Sequence, residues 1–129
     1  MEETIERLIG LAKAEKWGDI DAEIPKVSRL PEIVKWAYKT GLFESNDQVR
    51  DLAASILEKA DWSDNQRLIH GLVYNTLRQE PYIYAKFRLA FALYAHGERE
   101  PVVVAVVEEA AKDKDTQVKD IALKYLAQK

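Results

Sequence analysis

The chain contains no cysteine. Disulfides, thiolate nucleophiles and cysteine-based metal sites are therefore excluded. That lack fits a reducing interior, and a cytoplasmic location is the expectation. Glycine is scarce, five in 129 residues, and sits mostly at expected helix ends. No glycine-rich phosphate loop exists, and no serine occupies a nucleophile elbow. Apolar runs such as VVVAVV at 102–107 are far too short to span a bilayer, so no membrane partner is expected. The opening MEETIERLIGLAK begins with acids, whereas a signal peptide needs a basic start and an apolar stretch. No signal peptide is expected. An excess of basic charge is also missing. The net charge is −3, spread as −2 over residues 1–45, 0 over 46–97 and −1 over 98–129. A dedicated nucleic-acid binder usually shows the opposite bias.

What is present is helical periodicity. Residues 2–14 place Ile5, Leu8, Ile9 and Ala12 on one stripe, with Trp17 and Gly18 as the expected stop. The segment 19–31 reads as at most one short helix cut by Pro25. Pro31 suits the first turn of a helix over 31–40, with Gly41 closing it. Ser45, Asn46 or Asp47 then caps a helix buried through Val49, Leu52, Ala53, Ile56 and Leu57. A helix over 64–79 is expected to bury Leu68, Ile69, Leu72, Val73 and Leu77. Pro81 is expected to start a helix over 81–96 that is apolar nearly all round, which marks the centre of the molecule. VVVAVV is β-branched, but Pro101 before it and EEAAK after it favour helix over strand. Asp115 or Thr116 caps a last helix, buried through Val118, Ile121, Ala122, Tyr125 and Leu126. The expectation is one all-α domain over 1–129 with six to seven helices.

Three of these helices share a pattern. Val49, Ala85 and Val118 align, and each is followed by a base, Arg50, Lys86 or Lys119. Five residues on stand Ala54, Ala90 and Leu123, and three further on Leu57, Leu93 and Leu126. QVRDLA at 48–53 matches QVKDIA at 117–122. The spacings, 36 and 33 residues, are the length of a helix pair with its turns. A pair that short cannot bury its apolar face alone, but stacked pairs bury one another's. A plain helical bundle is the alternative.

The segments Asp47-x-Val49-Arg50-x-x-Ala53-Ala54-x-x-Leu57 and Asp115-x-x-Val118-Lys119-x-x-Ala122-x-x-x-Leu126 resemble the HEAT-like repeats of armadillo-type superhelices. The resemblance covers about 46–129, and residues 1–45 depart from it as a degenerate first repeat or cap. It implies a short right-handed stack of antiparallel helix pairs. It also implies an acid–base ladder through Asp47, Arg50, Asp115 and Lys119. Proteins of that family mostly act as scaffolds or binding platforms, and a few helical-repeat relatives act on DNA.

One face of helix 64–79 carries Arg67, His70, Tyr74 and Arg78, with Asn75 beside them. With Tyr82, Tyr84, Lys86 and Arg88 they form a basic-aromatic neighbourhood. Such residues suit an acidic peptide, or phosphates and stacked bases, or simply a solvated face. His70 and His96 are 26 residues apart and lack defined partner ligands, so no metal and no cofactor is expected. His96 beside Gly97 suits a helix C-terminus. Trp17, Trp36 and Trp62 read as packing residues. The adjacent acids Glu108 and Glu109 point about 100° apart, which is not a carboxylate dyad. The expected function is a non-enzymatic protein-interaction module or small adaptor. Its candidate surface is Arg50, Arg67, His70, Tyr74, Arg78, Lys86 and Lys119, with Lys124 nearby. A nucleic-acid-associated module is the alternative. An enzyme would require a pocket holding an acid of raised pKa.

Overall fold

A computed structural model describes residues 2–128; the terminal residues of the expected 1–129 domain lie outside it. The described residues are all-helical, with no strand. They form eight α-helices where six to seven were expected: α1 Glu2–Lys13, α2 Trp17–Val27, α3 Pro31–Lys39, α4 Asp47–Lys59, α5 Gln66–Gln79, α6 Ile83–Ala95, α7 Pro101–Ala110 and α8 Thr116–Leu126. None is long and apolar enough to cross a membrane.

The extra helix is α2, and two local features hid it. The α1 stop is not Trp17 but Glu15, in the left-handed region at φ +56. Its N–H donates to Ala12 O and that of Lys16 to Leu11 O, the paired bonds of a Schellman ending in which glycine is usual. Helix α2 then starts behind Lys16, which offers no side-chain cap. Pro25 lies in its last turn and does not cut it, because the helix runs only two residues further. By contrast, Gly97 takes φ +94 in the same ending after α6, with Gly97 N–H on Tyr94 O and Glu98 N–H on Leu93 O.

Gly41 does not simply stop α3. Thr40 does, and Gly41 opens a 3-10 turn, Gly41–Phe43. A Cβ at Gly41 would stand 2.7 Å from the Ala53 Cβ and 3.1 Å from the Trp36 ring, so α4 approaches this turn too closely for any side chain. Asn46 caps α4, accepting from the N–H groups of Gln48 and Val49 at 2.9 and 3.1 Å. Asp115 caps α8 through Val118 N–H at 3.1 Å. Pro81 precedes α6 rather than opening it; Tyr82 N–H is held by the Glu80 carboxylate at 3.1 Å. Ser63–Asn65 forms a 3-10 turn before α5, and this displaces Leu68 from the core, leaving it 50% exposed. Leu72, Ile121 and Leu126 are half-buried rather than buried. The VVVAVV segment is helical.

Helix α6 is central, as its apolar surround implies, but α4 shares that position. The two pack most extensively against each other, and α3, α1 and α2 cover α4 while α5, α7 and α8 cover α6. Small residues on both helices, Ala53 and Ala54 on α4 and Ala90 and Ala92 on α6, are fully buried. Successive helices α3–α4, α5–α6 and α7–α8 are in contact, and so are α4–α6 and α6–α8. A hydrogen bond of 3.2 Å from Gln117 Nε2 to Asp21 Oδ2 joins α8 to α2, 96 residues apart. A groove therefore runs over α4 and α6 with α2 and α8 as its flanks.

Candidate functional site

Of the α5 stripe, only His70 and Tyr74 are answered by acids from within the chain. His70 Nε2 meets the Glu98 carboxylate, and the His70 and Tyr74 rings stack at 6.2 Å. Partial burial pushes the Glu98 carboxyl up. Bonds from His70 and from the N–H groups of Glu100 and Arg99 outweigh that and leave it lowered. The neighbouring Glu100 carboxylate raises the pKa of the Tyr74 hydroxyl. Arg67 and Arg78 are exposed and make no ion pair among the described residues.

The other expected bases do not join the stripe. Arg50 is clamped on the buried Glu80 carboxylate, Nε to Oε1 at 2.7 Å and Nη2 to Oε2 at 2.9 Å. Its Nη1 also donates to the carbonyls of Glu44 and Ser45 at 2.8 and 3.0 Å. Bidentate pairing of this kind is structural and leaves little of the guanidinium for a partner. Lys86 is half-buried and Lys119 exposed, neither in an ion pair among the described residues. The expected ladder is replaced by Arg50–Glu80 at one end and by Asp115 acting as a cap at the other.

The basic-aromatic neighbourhood is divided, because Tyr82, Tyr84 and Arg88 turn into the groove. There two adjoining depressions, about 260 and 340 Å³, share Asp21, Arg88 and Gln117. The floor comes from α4, where Asp51, Ser55 and Glu58 fall at i, i+4 and i+7 and are all buried. Opposite them α6 supplies Arg88. Its Nε lies 3.8 Å from Asp51 Oδ1 and its Nη1 3.6 Å from Glu58 Oε1. The Tyr125 hydroxyl of α8 donates to Glu58, and Ser55 Oγ to Asp51 at 3.4 Å. At one end Trp17 Nε1 donates to Gln48 Oε1 at 3.0 Å, and Gln48 Nε2 to the Tyr82 hydroxyl at 3.1 Å. Tyr84 donates to Asp113 at 3.0 Å.

One guanidinium thus faces two buried carboxylates, at ion-pair rather than hydrogen-bond distance. Burial pushes the Asp51 carboxyl up to about 7; Arg88 and Ser55 oppose the shift, while Asp21 and Glu58 add to it. Burial, then Glu58, raises the Tyr125 hydroxyl, which stays protonated as a donor. Glu15, Asp21 and Asp115 at the rim add further negative charge. The arrangement can hold a cation, and Asp51 can accept or give a proton near neutrality.

The remaining candidates are structural. His96 stacks on Trp62 at 3.6 Å, and burial lowers its pKa. Trp62 is buried, with its indole N–H on Leu57 O at 2.9 Å. Trp17, in contrast, is half-buried at the groove. Among the described residues, no group of three or more His, Asp or Glu is placed to hold a metal ion. The sequence did carry one signal for the groove. Arg88 is a lone arginine in the middle of an almost wholly apolar helix, and a cation there requires buried acids on a neighbour. Comparison with family models, with curated proteins and with solved structures finds no match.

Proposed function

We propose that the chain is a non-enzymatic protein-interaction module that works in the cytoplasm and takes a basic segment of a partner protein in the groove between α2 and α8. One observation carries this reading: five carboxylates, Glu15, Asp21, Asp51, Glu58 and Asp115, line the groove against two cations, Arg88 and Lys59. A lysine or arginine side chain from a partner would complete that charge set. The order of contacts, pair after pair with α4, α6 and α8 adjacent, supports a HEAT-like stack as the scaffold. The same acids disfavour nucleic acid, as do Glu98 and Glu100 on the α5 stripe.

Affinity capture from a lysate at moderate salt, with and without nuclease, tests the reading. A protein partner retained after nuclease, and lost with Asp21→Lys plus Gln117→Lys, is the expected result. Capture that collapses with nuclease would put the nucleic-acid reading in its place.

A second reading rests on Asp51 alone. A carboxyl titrating near 7 beside an arginine in a groove is a general base in position. On this reading Asp51→Asn abolishes a turnover and leaves partner binding intact, whereas a pure binding groove shows no turnover to lose.

A further inference from the structure

A second cleft, of about 740 Å³, opens between α3 and the Ser63–Asn65 turn. Small-molecule sites commonly measure roughly 300–1,000 Å³. Its origin is local. Helix α4 ends at Lys59, and the chain folds Trp62 back under its own C-terminus onto Leu57 O and His96. It then turns at Ser63, a non-glycine residue at φ +33. Asp61 Oδ1 holds that turn, accepting from Ser63 N–H at 2.9 Å and from Ser63 Oγ at 2.6 Å. The turn stands off from α3, and the gap between them is the cleft.

The floor is built of side chains that are almost fully covered: Trp62 at 1% exposure, Ser28 at 4% and Tyr38 at 7%. Neither the Ser28 nor the Tyr38 hydroxyl hydrogen-bonds to another described residue. No side-chain polar atom sealed from solvent lacks a partner, so both hydroxyls reach solvent, and both line this cleft. Two hydroxyls on nine-tenths-buried residues are thus left free to bond something that enters.

The charge above them is positive on one side. Arg29 and Lys35 are exposed at the cleft and make no ion pair among the described residues. Lys59 Nζ is 3.8 Å from Glu58, the same ion-pair distance as Arg88 to Asp51, so it is already engaged by the groove floor. Helix α3 begins at Pro31 on the same wall, where Glu32 in its first turn offsets the positive end of its dipole. The facing wall carries Asp61, already satisfied by Ser63, and Asp64. An anionic ligand would therefore be held at the α2–α3 side with its apolar part over Val34 and Tyr38.

We propose that this cleft binds a small organic anion, its carboxylate or phosphate on Arg29 and Lys35 and its apolar body against Val34 and Tyr38. The site shares only Lys59 with the lining of the α2–α8 groove. Titration of phenyl phosphate into the nitrogen-15-labelled full chain, followed by the indole N–H signals, tests it, because Trp62 reports on the cleft and Trp17 on the groove. The expected result is a saturable Trp62 shift with Trp17 unmoved, and binding of phenol and of inorganic phosphate each about tenfold weaker or more. Arg29→Glu with Lys35→Glu should weaken phenyl phosphate by about tenfold or more, and Tyr38→Phe by about threefold. If the double variant melts early, Lys35→Ser replaces it. Benzoate in parallel distinguishes the head group, and a preference either way supports the site. An unmoved Trp62, a phenol that binds as well as phenyl phosphate, or charge-reversed protein that binds unchanged would overturn the proposal.

Discussion

The α5 stripe and the α2–α8 groove are built from similar residue types and behave oppositely. On α5 the charges are exposed; His70 and Tyr74 are answered by Glu98 and Glu100 from the following loop, at little energetic consequence. In the groove Asp51 and Glu58 are buried beside a half-buried Arg88, with Lys59 also within 3.8 Å of Glu58. The same carboxylate that would be inert on α5 titrates near 7 on α4. The difference teaches that a pattern of visible cations says little about where charge matters. Burial decides it, through the cost of an ion that water cannot reach.

The sharpest way to break this contrast is Arg88→Met. It leaves two buried carboxylates without their guanidinium and should cost about 3–5 kcal/mol at pH 8 by chemical denaturation. A loss under ~1 kcal/mol would mean that water reaches these acids as freely as it reaches α5.

Asp51→Asn comes next. Because the folded pKa of Asp51 is raised, the folded state holds more protons than the unfolded one between about pH 4 and pH 7. This group therefore lowers stability as pH rises through that window, and its effect is constant above it. The amide variant should be more stable than the parent at pH 8 by on the order of 1–3 kcal/mol, with no difference at pH 3. Equal stability at both pH values would contradict the burial of this carboxyl.

A smaller effect separates the two Schellman endings. Glu15→Gly should stabilise the fold by roughly 0.5–1 kcal/mol, since Glu15 holds the conformation that Gly97 adopts freely. A destabilised melt would show that the Glu15 side chain contributes more than its backbone costs. The smallest effect belongs to α5 itself. Arg67→Glu with Arg78→Glu should leave the melt within about 0.5 kcal/mol and leave groove binding intact. Abolished binding would return the partner surface to the stripe.

Much of the fold was legible because α3 to α8 carry apolar stripes with prolines, caps or Gly97 near their ends. Helix α2 was not, because Glu15 stands where glycine usually signals a stop and Lys16 where a capping residue usually signals a start. The groove was not, because Asp51, Ser55 and Glu58 at i, i+4 and i+7 look like a solvent face. Only long-range packing, with α2 reaching α8 through Asp21 and Gln117, covers them. The α5 bases were legible as a stripe, but the acid that meets His70 comes from a loop 28 residues on. Arg50 was legible as a base, and its partner Glu80, 30 residues away, was not.

The most direct measurement of the central claim is a titration of the labelled chain with a short arginine-rich peptide, following the Trp17 indole N–H at low and at moderate salt. The groove reading predicts a saturable Trp17 shift that weakens with salt and disappears in Asp21→Lys plus Gln117→Lys, while a matched acidic peptide does nothing. A Trp17 signal that stays fixed while the α5 amides around Arg67 move with the acidic peptide would contradict it.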